Sequence, residues 1–228
     1  MGAFAEGSTV ANEHDTITSG NNGTSGGGSA VSRAKFLGLM AAGGVLGYVG
    51  MRITGRTAFG WRENTVESPQ PKFDPSTYRL TIDGMVDHPI TLTYDELRAL
   101  PPVRQVSDFQ CVEGWSVPDV QWTGVRMQHL IDLVRPTKEA RYVTFHSLTD
   151  IYRDSLSMQQ AGLPDVLVAY DMDGERLPVA RGLPLRVVMP RMYGYKGAKW
   201  LRRIEFRDEQ DIGYWEQRGW RVDAWIKA

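Results

Sequence analysis

From Lys72 onward the sequence predicts an α+β domain, mostly β with a few short helices. Three observations carry that expectation. Short segments rich in Val, Tyr and Phe recur between turn residues, as half-buried strands do. Several of them alternate apolar and polar residues with the two-residue period of a strand. Helix-start signals, by contrast, are few and the segments behind them are short.

Taken in order, "YRLTIDG" (Tyr78–Gly84) alternates and ends in an Asp-Gly pair, so it reads as a strand running into a turn. Thr93-Tyr94-Asp95-Glu96 has a threonine three residues before a glutamate. That spacing lets each side chain satisfy the other's free backbone N–H, so a helix is expected to run to about Leu100, where Pro101-Pro102 stops it. Val103–Cys111 follows as a strand. Thr123 offers a cap for a second helix, with Val125, Leu130, Ile131 and Leu133 on its apolar face and an end before Pro136. "ARYVTFHS", "DVLVAYDM" and "LPLRVVMP" read as strands, with Asp171–Gly174 as a hairpin turn. "AKWLRRIEFRD" buries Trp200, Leu201, Ile204 and Phe206 along a long half-exposed strand, and "GYWEQRGW" has helical tendency. No internal repeat is visible.

The first seventy residues have a different texture. Residues 1–31 are dominated by Gly, Ser, Thr and Asn. Such a stretch has too little apolar surface to offset the entropy of ordering it, so disorder is expected. Residues 32–56 contain an apolar run, 36–51, flanked by Arg33 and Lys35 before it and by Arg52 and Arg56 after it. Sixteen helical residues would span about 24 Å, short of the ~30 Å hydrocarbon core. The run is also glycine-rich, so a signal segment or anchor fits better than a strong membrane span, with an amphipathic or buried core helix as the alternative. "SRAKFLGLMAAGG" resembles a twin-arginine export signal, with Ala34 in place of the second arginine. An extracytoplasmic location follows, periplasmic or cell-surface, with membrane association through residues 36–51 if the segment stays attached. Residues 57–71 read as a linker.

The bulk numbers exclude several classes. Lys and Arg total 26 against 27 Asp and Glu, a net charge of -1. Nothing there supplies the clustered basic excess that tracks a nucleic-acid backbone. One cysteine, Cys111, rules out an internal disulfide framework and any multi-cysteine zinc site. The four histidines, His14, His88, His129 and His146, have no metal-ligand spacing.

Two clusters could carry chemistry. The first is "FQCVEGWS", in which Cys111 is followed by Glu113; along an extended chain the two would share a face. An inert buried thiol is the alternative reading of Cys111, and a solvated surface acid that of Glu113. The second is "VARGLPLRVVMPRMYGYKGAKWLRRIEF", where arginines and lysines stand among glycines. Glycines let backbone amides approach a ligand and arginines grip phosphate through paired N–H donors, so an anion site competes with a solvated strand face. No Walker-type phosphate loop is present.

Together, "IDGMVDHPITLTYDELRALP", "CVEGWS", "WTGVRMQHLI" and "RGLPLRVVMPRMYGYKGAKWL" resemble the sulfite oxidase-type molybdopterin domain, over about Lys72 to Trp225. The Cys-Val-Glu-x-Trp-Ser context is similar to that of periplasmic methionine sulfoxide reductase catalytic subunits, not to the Cys-Ala-Gly-Asn-Arg-Arg context of sulfite oxidases. The resemblance implies a molybdenum–molybdopterin cofactor with Cys111 as the metal's thiolate ligand. Ser147 stands where the reductases have a cofactor-contacting threonine, and Arg181 where they have asparagine. Arg186 matches the family arginine, and Gly197, Ala198 and Lys199 match the loop that holds the pterin phosphate. Glu113 becomes a candidate for supporting the metal ligand or handling protons. The implied activity is oxygen-atom transfer, reduction of an S-oxide such as methionine sulfoxide, with electrons from a separate haem or membrane protein. Sulfite oxidation and a non-catalytic anion-binding domain are the alternatives. The reductases' N-terminal Asn and Tyr-Glu contacts find no counterpart before Lys72, so either the cofactor is held less tightly or the "ENTVESPQPKFDPS" segment contributes in another way.

Overall fold

A computed structural model of the chain describes residues 60–226. The expected disordered stretch and the expected export signal or anchor lie outside the described residues. Among the described residues no helix is long and apolar enough to cross a membrane.

Two sheets form the domain, both mostly antiparallel. The first runs β2 (Ile90–Thr93), β1 (Arg79–Gly84), β10 (Leu201–Arg207), β5 (Tyr142–Ser147), β6 (Arg153–Ser157), with β1 and β10 parallel. In the second, β3 (Val103–Gln110) pairs with β4 (Ser116–Arg126), and β4 pairs with β7 (Leu167–Met172). The far edge of β7 is shared by β8 (Glu175–Arg176) and β9 (Arg186–Val188). Short helices α1 (Tyr94–Ala99), α2 (Met127–Val134) and α3 (Met158–Ala161) complete it. The expectation of an α+β domain, mostly β, holds.

Local chemistry explains most boundaries. At α1, Thr93 Oγ1 accepts from the Glu96 N–H at 3.1 Å, and Glu96 Oε2 accepts from the Thr93 N–H at 2.8 Å. The second expected helix is corrected at its start. It begins at Met127, and Thr123 belongs to β4, where it pairs with Arg104 on one side and Asp171 on the other. Two flanking strands offer ladder bonds in both directions, which a single capping bond cannot match. Leu133, expected on the apolar face of α2, is exposed; Met127, Leu130, Ile131 and Val134 form the buried stripe instead. Trp200 precedes β10, yet its ring is buried and its Nε1 donates to the Val179 carbonyl at 2.8 Å. The C-terminal aromatic stretch makes a 3₁₀ turn, Glu216–Arg218.

The main core lies on the first sheet. Leu80, Ile82, Val143, Phe145, Ile204 and Phe206 are buried there and pack with Leu97 of α1 and Leu130 of α2. Full burial of such a side chain contributes about 1.5–3 kcal/mol. A second apolar cluster, Val117, Val120, Trp122, Leu167, Ala169, Leu177 and Val188, sits within the second sheet. Trp61, Phe109 and Trp115 pack against it. That second cluster is the platform on which the functional site rests.

Candidate active site

Cys111 stands at the tip of the β3–β4 hairpin. Its N–H donates to the Trp115 carbonyl at 2.9 Å, and Gly114 N–H donates back to the Cys111 carbonyl at 3.1 Å. Val112-Glu113-Gly114 is thus a three-residue hairpin loop, whose last position takes a positive φ; Gly114 sits at +86°, where a side chain is strained. The turn, and not strand alternation, brings Glu113 near the thiol: Glu113 Oε2 lies 4.0 Å from Cys111 Sγ. Asn64 joins them, its Nδ2 donating to Glu113 Oε2 at 2.8 Å and standing 3.8 Å from Sγ. Trp115 Nε1 donates to the same oxygen at 3.3 Å. The bonds from Asn64 and then Trp115 hold the Glu113 carboxyl below its usual range. Burial pushes the half-buried Cys111 thiol up, with the Glu113 charge adding to it.

Cys111 opens onto a solvent-connected cleft of about 890 Å³. The same cleft is lined by Arg181, Arg186, Gly197 and Lys199. Arg186 is only 3% exposed, and its guanidinium lies over Phe109 and Trp122, 5.1 and 5.2 Å from the ring centres. It donates to the Arg181 carbonyl at 3.2 Å, while its Nε has no hydrogen-bond partner among the described residues. Arg181 lies over Trp61 and donates to the Arg62 carbonyl. Lys199 Nζ donates to the carbonyls of Asn64, at 3.1 Å, and Ala180, at 3.3 Å. Among the described residues none of the three pairs with a carboxylate. Burial, reinforced by the mutual repulsion of the cations, lowers Arg186 to about 9 and Lys199 to about 8.

A buried Arg186 beside the partly buried Arg181 and Lys199 is costly unless an anion completes the group. Gly197 adds a backbone close to Arg186: a Cβ there would stand 2.6 Å from the Val187 carbonyl oxygen and 3.5 Å from an Arg186 nitrogen. The donor set therefore fits a phosphorylated, metal-bearing pterin: one cleft holds a soft sulfur, three cations, an Arg186 Nε with no hydrogen-bond partner among the described residues, and a bare backbone at Gly197.

Six of the eight residues singled out in the sequence line the cleft: Cys111, Glu113, Arg181, Arg186, Gly197 and Lys199. Ser147 and Ala198 are buried behind it, Ser147 Oγ facing Thr149 Oγ1 at 3.3 Å. The segment read as linker brings in residues that sequence reasoning did not single out, although it allowed "ENTVESPQPKFDPS" a part in the site: Trp61, Asn64, Thr65 and Glu67 line the cleft. Glu67 is buried with both carboxylate oxygens lacking a hydrogen-bond partner among the described residues. The one available signal was Trp61, an aromatic too large to leave in a solvated linker.

Comparison with known proteins agrees with this geometry. The family described as "Oxidoreductase molybdopterin binding domain" matches residues 67–215. An oxidoreductase of Bacillus subtilis, YuiH, is 36% identical over 154 residues, 67% of this chain and 77% of that protein. The protein-methionine-sulfoxide reductase catalytic subunit MsrP of Campylobacter jejuni is 32% identical over 160 residues, 63% of this chain. The chain spans only 54% of that reductase's length. Among solved structures, the sulfane dehydrogenase SoxCD from Paracoccus pantotrophus superposes with a TM-score of 0.58 at 22% identity, over 63% of this chain and 41% of that one. That likeness concerns the fold.

Proposed function

The chain belongs to the oxidoreductase molybdopterin-binding domain family, and from that premise we propose that it reduces an S-oxide, such as methionine sulfoxide, using electrons from a separate haem or membrane protein. That it is a molybdopterin-dependent oxidoreductase follows from the family itself. The S-oxide reading rests on the Cys-Val-Glu-x-Trp-Ser hairpin together with the reductase relative. One observation carries it: a lone thiol shares a cleft with three cations that, among the described residues, have no carboxylate partner.

When bound, the molybdenum–pterin supplies two-electron oxygen-atom exchange at sulfur. Overall, an S-oxide, two electrons and two protons give a thioether and water. Cys111 would supply the thiolate, a soft donor suited to such a metal. Arg181, Arg186 and Lys199 would grip the pterin's anionic groups, while Gly197 lets the backbone approach. Ser147 and Ala198 would act from behind the wall, by fixing its course. Asn64 and Trp115 pin Glu113 beside the thiol, so Glu113 orients the Asn64 amide there. Trp61 and Trp115 give the opening an apolar wall that excludes water and suits a thioether, whose sulfur packs well on aromatic rings. The pattern of residues 32–56 supports export or anchoring on the extracytoplasmic side.

Purified protein should oxidise reduced viologen when methionine sulfoxide is added. Turnover of sulfite with an artificial acceptor, and none of methionine sulfoxide, would transfer the assignment to sulfite oxidation. Absence of molybdenum after expression with intact cofactor biosynthesis would leave only an anion-binding domain.

A further inference from the structure

A second charged cluster lies behind the cleft, where the chemistry above does not use it. Lys196 is fully buried, and its Nζ contacts Asp154 Oδ1 at 2.7 Å and Glu216 Oε1. Asp154 Oδ1 also accepts from the Ser155 N–H at 2.7 Å, while Oδ2 has no hydrogen-bond partner among the described residues. Glu216 Oε2 accepts from the Gly213 N–H at 2.8 Å. Gly213 is bare because a Cβ would stand 2.6 Å from Asp154 Cγ.

The three charges come from three separate segments, each adjacent to a wall of the cleft. Lys196 is flanked by Tyr195 and Gly197, both of which line it. Glu216 follows Trp215, which lines it, and Asp154 lies two residues from Tyr152, which does too. Tyr152 in turn donates to the Tyr195 carbonyl, tying two of these walls together. Each segment turns its charge inward and its neighbours toward the opening.

We propose that Asp154, Lys196 and Glu216 are positioning residues: a buried charge clip that holds the three segments in register and so shapes the pterin site. The inference rests on reading the cleft as that site. A buried ion cluster is weak support for stability, since an apolar replacement of similar volume often does as well. What it supplies is geometry, because Lys196 reaches both carboxylates only when the three segments hold this arrangement. Two carboxylates on one ammonium also leave the clip one negative charge in excess. Among the described residues no second cation pairs with either carboxylate of the clip. Burial and the Glu216 charge, against the opposing pull of Lys196, push Asp154 up to about 7.

The test uses the full chain, expressed with intact cofactor biosynthesis, and reads bound pterin by the fluorescence of its oxidised form and molybdenum by elemental analysis. Variants are Glu216→Gln, which keeps the shape and removes one charge, and Lys196→Met. The comparison is Leu97→Ala, a core truncation that touches no part of the cleft. Each protein is assayed at the same interval below its own unfolding midpoint. The expectation is that the clip variants hold roughly 10–100-fold less tightly to pterin, the range for residues that orient a metal site from behind, while Leu97→Ala retains it. Pterin release from wild type is expected to change as pH rises through neutrality, where Asp154 loses its proton, and Glu216→Gln should abolish that change. Loss of pterin from Leu97→Ala in equal measure, or its retention by Glu216→Gln, would overturn the clip. Wild type empty of pterin would overturn the reading of the cleft itself, and the clip with it.

Discussion

Gly194 and Phe109 both line the cleft and lie in close contact, and substituting the glycine tests the packing that positions Arg186. A Cβ built on Gly194 would lie 2.2, 2.6 and 3.0 Å from three ring carbons of Phe109. Carbon atoms in contact prefer about 3.5–4.0 Å, so the ring must retreat by more than about 1 Å. It has little freedom to do so. Trp61 lies 4.8 Å from it, Trp115 5.8 Å, and the Arg186 guanidinium 5.1 Å, all measured from the ring centre. Overpacking of this kind costs about 1–3 kcal/mol, or roughly 2–12 °C in the unfolding midpoint of a domain this size. Gly194→Ala should therefore melt several degrees lower in a calorimetric scan and bind less pterin, since the displaced ring pushes on Arg186. Adding Phe109→Leu removes the clashing ring, so the double variant should be more stable than the sum of the single changes allows. Gly194→Ala melting within a degree of wild type, or strictly additive single effects, would refute the argument.

Other expectations are more local. Cys111→Ser should leave the unfolding midpoint almost unchanged, because one half-buried sulfur is exchanged for oxygen, yet abolish viologen-coupled turnover. Arg186→Met should weaken pterin binding while leaving the cofactor-free protein equally stable or up to about 2 kcal/mol more stable in urea unfolding, because it removes an unpaired buried charge. Asp154 is raised from 3.8 to about 7, so the folded state holds its proton more tightly than the unfolded chain does. The stability it contributes is full below about pH 4 and is lost as pH rises through about 7; Asp154→Asn should flatten that slope in denaturant titrations. Thr93→Ala should cost about 1 kcal/mol by deleting the α1 cap, with no effect on turnover.

Most of the fold was legible because it depends on local periodicity. The alternation of β10 and the Thr93–Glu96 box act within a few residues, so pattern and structure coincide. Thr123 failed because its fate is decided by β3 and β7, whose arrival on both sides of it no local pattern reports. The site divides similarly. Cys111 and the Arg181–Lys199 loop were legible from residue type and glycine spacing. Asn64 and Glu67 were not, because their neighbours in sequence are those of a linker and their partners lie 49 residues away, for the Asn64–Glu113 bond. Glu113 was placed by a wrong geometry, alternation in place of a turn, although Gly114 at the left-handed position was the sign of the turn.

The cleft and the clip also explain why this chain tolerates so many buried charges. Lys196 carries a permanent set of partners and is satisfied in the folded protein whether or not a ligand is present. Arg181, Arg186 and Lys199 reach only backbone carbonyls and, among the described residues, pair with no carboxylate, so an arriving anion would offset their desolvation. The first arrangement fixes geometry; the second stores binding free energy for a ligand of opposite charge. A protein folding for stability alone would pair all four cations alike. That it pairs one and leaves three facing a common opening is the physical reason to read that opening as built for an anionic cofactor, and Arg186→Met separates the two cases by the sign of its effect on the empty protein.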